Sequence, residues 1–362
     1  MAAKGCTNTM KNKLITAAAA VLLCGGLLVG CGSGEQKSAE PAADAASEKI
    51  EVVCTTFPAY DWVMQVVGDQ AANYEITYLM DSGVDLHSYQ PSVEDVAKIT
   101  DADLFVYVGG ESDEWASDII ASSGGPDLHT VSMLEAVGDA AVEEEIVEGM
   151  QADEHEHEHE EGEAAEDEDH EHEEGEDHEH EEGPEYDEHV WLSLKNAQTL
   201  VNAIAGELSE VDAENAAVNT ANASAYCAKL AELDASYADV VKAASKSVVI
   251  FADRFPFRYL VDDYGLTYYA AFVGCSAETE ASFETVAFLA QKVDELEAKS
   301  VLVIENSDQT IAQTVIQNTK TKDQTILVMD SLQSTTAAEV AEGKTYLDTM
   351  ANNLSVLTEA LA

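Results

Sequence analysis

Thirty consecutive residues in the middle of this chain, 153–182, cannot enter any hydrophobic core. They are almost entirely glutamate, aspartate and histidine, with His155, His157 and His159 at alternate positions, then His170 and His172, then His178 and His180. The stretch has no apolar run and no lysine or arginine to neutralise it, so burial cannot offset the entropy of ordering it. Whatever folds must fold on either side. The composition also has a chemical meaning. Neutral imidazole is the commonest protein ligand for zinc-like ions, and flanking carboxylates concentrate divalent cations. A plain acidic spacer explains the glutamates but not seven histidines packed so closely. The tract is expected to be a low-affinity metal collector whose capture weakens below about pH 6, where imidazole takes a proton.

The charge balance narrows the partners. A formal net charge of −54 over 362 residues makes nucleic acid and anionic membrane surfaces poor partners. Of the 71 acidic residues, 26 lie between Glu143 and Glu188 with no Lys or Arg among them, and the rest of the chain is acidic too.

The N-terminus reads as an export signal. Lys4, Lys11 and Lys13 precede an apolar run from Leu14 to Val29 that is short for a spanning helix and ends in small residues. It finishes in Leu28-Val29-Gly30-Cys31, which resembles a bacterial lipobox. The implication is a signal peptide over 1–30, cleavage before Cys31, diacylation of that sulfur, and a flexible tether over 31–49. Cys6 and Cys24 leave with the signal. Cys54, Cys227 and Cys275 remain, and three cysteines do not make a disulfide framework.

From Ile50 onward short apolar runs alternate with amphipathic stretches, the pattern of an α/β fold with mostly parallel sheets. Strands are expected at Glu51–Thr55, Tyr74–Leu79 and Leu104–Val108, with helices near Tyr60–Val67 and Ser92–Asp101, the second opened by a Ser92/Asp95 capping box. Asn196–Ala244 reads as helical almost throughout, either as a helix of about thirty residues capped by Asp212 or as two helices broken near Val211. A second series follows, with strands Ser247–Phe251, Leu266–Phe272, Val301–Ile304 and Thr325–Met329. Its helices lie near Phe257–Asp263, Ser282–Ala298, Gln309–Asn318 and Thr345–Leu361. The expected organisation is an N-terminal βα lobe over 50–195 that carries the acidic loop 143–188, a linking helical spine over 196–245, and a C-terminal βα lobe over 246–362.

Ligands of open parallel sheets bind beyond the carboxyl ends of the strands. His87, in Gly83-Val84-Asp85-Leu86-His87-Ser88-Tyr89-Gln90-Pro91, follows one strand, and Asp330 follows another. His189 stands between the insert and an apolar run, in Asp187-Glu188-His189-Val190-Trp191-Leu192.

These segments resemble the metal-binding lipoproteins of ABC transporters, the ZnuA/TroA-like zinc and manganese substrate-binding family. The first looks like that family's G-x-D-P-H-x-Y-E-P and the second like its D-P-H-V-W-L, while Asp330-Ser331 matches the pair that carries its last carboxylate ligand. The resemblance covers Glu48 to Ala362 and implies two lobes joined by a spine, with a metal held in the cleft by His87, His189 and Asp330. Trp191 and Tyr89 read as packing residues. At the third ligand position, where the family has His or Glu, this chain has Arg254, and a guanidinium has no lone pair for a metal. The adjacent Asp253 is the expected substitute. Cys275 is a weaker candidate, because buried cysteine more often packs than ligates. Arg254 itself is expected to pair with an acid such as Glu280.

Two imidazoles with carboxylates suit zinc, although replacing a histidine by a carboxylate hardens the site towards manganese or iron. The histidine-rich insert returns the balance to Zn2+, with Mn2+ as the alternative. The function implied is a monomeric extracytoplasmic receptor, not an enzyme. It would be anchored in the lipid bilayer through Cys31 at the outer face of a bacterial cell membrane, or in the periplasm if there are two membranes. It would hand metal to an ABC permease driven by a cytoplasmic ATPase. A surface zinc buffer or adhesin would use the same site. An exported zinc hydrolase would need an open coordination position and a general base, and no H-E-x-x-H or G-x-S-x-G is present.

Overall fold

In the computed structural model, which describes residues 49–151, 185–276 and 280–362, the first apolar run becomes the strand β1 (Ile50–Cys54). It lies between β2 (Tyr74–Tyr78) and β3 (Leu104–Tyr107), and β4 (His129–Ser132) completes a parallel sheet of order β2-β1-β3-β4. Ile50 stands opposite Tyr74, Val52 opposite Leu104, and Leu104 opposite His129. A strand covered on both faces reads as a continuous apolar run. Val-Val-Cys and Leu-Phe-Val-Tyr do so; the His-Thr-Val-Ser of β4 does not, and nothing in the sequence marked it as a strand.

Helices α1 (Phe57–Val67), α2 (Val93–Asp101), α3 (Glu114–Ser123) and α4 (Met133–Val137) connect and follow these strands. The capping box of α2 is present: Asp95 N donates to Ser92 Oγ, and Asp95 Oδ2 accepts from Ser92 N at 2.9 Å. The same oxygen accepts from Tyr89 Oη at 3.0 Å, which ties the end of the His87 loop to the helix.

The long helical stretch is two helices, α5 (Leu194–Val211) and α6 (Ala216–Ala243), and α6 folds back along α5. The expected cap at Asp212 is corrected. Its carboxylate accepts from Tyr74 Oη at 2.5 Å and from Asn215 N and Nδ2, so it closes the turn between the helices, and Asn215 precedes α6. At 28 residues α6 is still about 42 Å long. It packs on α1 in the first half of the fold and on elements of the second.

That second half contains β5 (Val248–Ile250), β6 (Arg254–Phe255), α7 (Arg258–Tyr264), β7 (Thr267–Tyr269), β8 (Phe272–Val273), α8 (Phe283–Glu295), β9 (Ser300–Ile304), α9 (Thr310–Asn318), β10 (Thr325–Met329), α10 (Ala337–Ala341) and α11 (Tyr346–Ala360). The pairs β5–β7, β6–β8 and β9–β10 are all parallel, and Ala252 N donating to Leu302 O at 2.9 Å joins the first segment to β9. The expected strand Leu266–Phe272 is interrupted at Ala270 and Ala271, because β8 leaves β7 to pair with β6. The edge-on contact of Trp62 with Tyr346, 5.0 Å between centroids, brings α11 onto α1. A smaller core beneath α8 and α9 includes Leu289, Val301 and Val303.

Glu48–Ala362 forms one compact unit, and no helix among the described residues is long and apolar enough to cross a membrane. The signal segment, Cys31, nearly all of the tether, and His155, His157, His159, His170, His172, His178 and His180 lie outside the described residues.

Candidate metal centre

The His87 loop is shaped before any metal arrives. Gly83 has φ 78°, and a Cβ there would sit 2.9 Å from Thr336 Cγ2, so only glycine passes this point freely. Asp85 then caps a single 3₁₀ turn, Leu86–Ser88, by accepting from His87 N at 3.1 Å. Arg254 holds the other oxygen of Asp85 at 2.6 Å. Burial works to raise the Asp85 carboxyl, but Arg254 and His87 outweigh it and hold it below the usual carboxylate range.

His189 is wholly buried, and Asp187 Oδ1 lies 2.9 Å from both its backbone N and its Nδ1. His87 Nδ1 lies 2.7 Å from Ser112 Oγ and 3.5 Å from Glu188 Oε2. Partners on the outer ring nitrogens orient imidazole for metal binding. Here they leave the two Nε2 atoms facing each other, 3.2 Å apart. At a zinc–nitrogen distance of about 2.0–2.1 Å, that separation subtends roughly 103° at an ion, near the tetrahedral angle.

The third element of the cluster is Cys275. The donor atoms of His87, His189 and Cys275 all lie within 4.8 Å of one another. Gly274, just before it, packs against the His189 ring: a Cβ there would stand 2.9 Å from Cε1 and 3.0 Å from the Phe255 carbonyl.

The carboxylates expected from sequence are not part of this group. Asp253 Oδ1 accepts from Arg254 N at 2.9 Å, and its Oδ2 is buried without a partner among the described residues. Asp330 is engaged by Lys344 at 2.8 Å and by Leu332 N at 2.8 Å. Arg254 does form an ion pair, but its acid is Asp85 rather than Glu280. Trp191 packs as expected, fully buried, with its indole N–H on the Ser331 carbonyl at 2.9 Å.

The electrostatics fit a cation. Burial, then the neighbouring His189, press His87 down to about 3, so it is neutral and keeps its lone pair. Burial opposes charge on His189 too, yet Asp187 prevails and raises it. Burial lifts Glu188 to about 7. Burial and the charges of Asp187 and Glu144 push the Cys275 thiol well up. Asp187, Glu144 and Glu188 therefore crowd the donor cluster. A cavity of only about 10 Å³ adjoins Asp187 and Gly274, room for about one water-sized sphere and not for an organic solute. A larger cavity, about 260 Å³, opens beside Lys246 at the start of β5 and β9, the opposite strand ends from the metal-ligand cluster.

Glu188 was legible only as a neighbour of His189 in its motif. Ser112 and Glu144, which accepts from Cys275 N at 3.2 Å, carried no sequence signal.

Comparison with known proteins places the chain in a family. The family model described as ZnuA, "Zinc-uptake complex component A periplasmic", matches residues 52–360. The chain is 31% identical over 337 residues to the zinc-binding lipoprotein AdcA of Streptococcus pneumoniae, covering 93% of this chain and 59% of that protein, so it spans little more than half of that relative's length. It is 30% identical over 341 residues to the high-affinity zinc uptake system protein ZnuA of Bacillus subtilis, covering 94% of this chain and 96% of the other. Among solved structures it resembles the Zn(II)-bound ZnuA-like domain of Streptococcus pneumoniae AdcA, with a TM-score of 0.64 at 27% identity over 86% of this chain and 99% of that one. It also resembles the metal-dependent lipoprotein YcdH of Bacillus subtilis, with a TM-score of 0.65 at 26% identity over 86% and 99%.

Proposed function

The chain belongs to the ZnuA family of zinc-uptake components, and from that premise we propose that it is an extracytoplasmic receptor that captures Zn2+ and delivers it to an ABC permease driven by a cytoplasmic ATPase. The observation that carries this reading is the pair of inward-facing Nε2 atoms, 3.2 Å apart, each ring held from behind by an acid or hydroxyl. Such a pair offers two nitrogen lone pairs at a separation that suits one metal ion as cargo. Nitrogen donors favour zinc over manganese, and the named zinc-binding relatives support the same choice. A hydrolase is not favoured, because the family is one of metal capture and uptake.

The protein is exported, cleaved before Cys31 and held at the outer face of the membrane by lipid on that residue. It acts as a monomer with its two halves closing on the ion. The acidic histidine tract collects zinc weakly and passes it inward. Asp253 and Asp330 are retained as candidate carboxylates for a more closed arrangement, in which Lys344 would release Asp330.

Competition with a chromophoric chelator tests the site. His87→Ala and His189→Ala should each abolish tight one-to-one zinc binding, whereas deletion of residues 153–182 should remove only the weak equivalents. Loss of the tight site in the deletion, with its survival in His87→Ala, would overturn the assignment.

A further inference from the structure

We propose that Cys275 is the third metal ligand, giving a His₂Cys donor set that makes the site selective for zinc over manganese. The inference rests on the receptor reading above and concerns how that site chooses its ion. The Sγ of Cys275 and the two histidine donors lie within 4.8 Å of one another, so a shift of no more than about 1–1.5 Å brings sulfur to the roughly 2.3 Å of a zinc–thiolate bond.

Arg254 supplies the reason the thiol is there. It occupies the position at which a third nitrogen or carboxylate would be expected, and its guanidinium is engaged by other groups. Its Nη1 donates to the Ser276 carbonyl at 3.1 Å, one residue beyond Cys275, while Nη2 holds Asp85 behind the His87 turn. The guanidinium that displaces one ligand thus fixes the loop that carries another. Glu144 Oε1 accepts from Cys275 N and holds the loop from the other side.

A second observation points to a bound cation. Glu188 is only 2% exposed, and its Oε2 has no hydrogen-bond partner among the described residues although it stands 3.5 Å from His87 Nδ1. An unpaired buried carboxylate oxygen is costly. A divalent ion drawing electron density from His87 strengthens the interaction between its Nδ1–H and that oxygen. On coordination the S–H bond of Cys275 gives way to a sulfur–metal bond, and the proton passes to solvent. A thiolate is a soft donor that suits zinc and not manganese.

The purified full-length chain should therefore show a thiolate-to-metal charge-transfer band when titrated with cobalt(II), and Cys275→Ser should lose it while keeping the other five cysteines. Removing an outer partner of a ligand already costs about 10–100-fold in metal affinity. Cys275→Ser should accordingly weaken zinc by about a hundredfold and manganese by less than about tenfold. Peptide-resolved alkylation of the wild type needs no variant: zinc should protect Cys275 and leave Cys227 unprotected. Absence of the band, unchanged zinc affinity in Cys275→Ser, or equal alkylation with and without zinc overturns the thiolate ligand while leaving the receptor intact. Undiminished tight binding in His87→Ala would overturn the receptor reading instead.

Discussion

Two imidazoles pressed together inside a fold cannot both be basic. His87 is driven down to about 3 by burial and by its neighbour, whereas His189 is raised because Asp187 outweighs its own burial. The first proton to enter therefore resides on His189 and is shared across the 3.2 Å between the Nε2 atoms, where a metal would otherwise sit. Proton and zinc compete for one place. The sign follows: His189 titrates above its ordinary value and Glu188 near about 7, so both take up protons as pH falls. Both changes disfavour a cation. Zinc affinity by chelator competition should fall steadily as pH drops, by up to about tenfold per pH unit for each proton that zinc displaces, the Cys275 thiol proton among them. An affinity independent of pH between about 5.5 and 8 would contradict this arrangement.

At the scale of elements, short connections do the aligning. The 3₁₀ turn Leu86–Ser88 follows β2, the Asp187–His189 segment leads into α5, and the Cys275 loop follows β8. Arg254, on the two-residue strand β6, clamps the first and third of these at once. Arg254→Lys keeps the charge but has a single ammonium that cannot satisfy both the Asp85 carboxylate and the Ser276 carbonyl. With the Arg254 and Asp85 side chains only 18% and 16% exposed, breaking the fork should cost about 1–3 kcal/mol in chemical unfolding. It should also weaken zinc by about tenfold or more, as loss of ligand support does. A variant with full stability and affinity would show that the clamp is dispensable.

For the whole molecule, the site links residues distant along the chain: His87 from the first half, His189 at the entry to the paired helices, and Cys275 from the second half. A ligand that binds only the folded state stabilises it by RT ln(1 + [L]/Kd), about 4 kcal/mol at a thousandfold excess over Kd. Zinc should raise the melting temperature by about 5–10 °C in the wild type and in a chain lacking residues 153–182, and hardly at all in His189→Ala. An equal rise in all three, read by calorimetry, would place the stabilising site elsewhere.

What the sequence determined by itself was local or compositional. The alternation of buried runs and amphipathic stretches marked β1, β3, β9 and β10, and the Ser92/Asp95 spacing marked the start of α2, because each signal is complete within a few residues. The His87 and His189 motifs were legible for the same reason, and so was the unsuitability of Arg254 as a ligand. Tertiary structure decided the rest. The four residues of β4 become a strand only because β3 offers an open edge. Asp212 closes a helical turn because Tyr74, 138 residues away, donates to it. Among the described residues it is Cys275, not Asp253 or Asp330, that stands beside the two histidines. No spacing rule reaches across 86 residues from His189 to Cys275. Donors from separate segments converge only when packing of the sheets and the Arg254 fork brings those segments together.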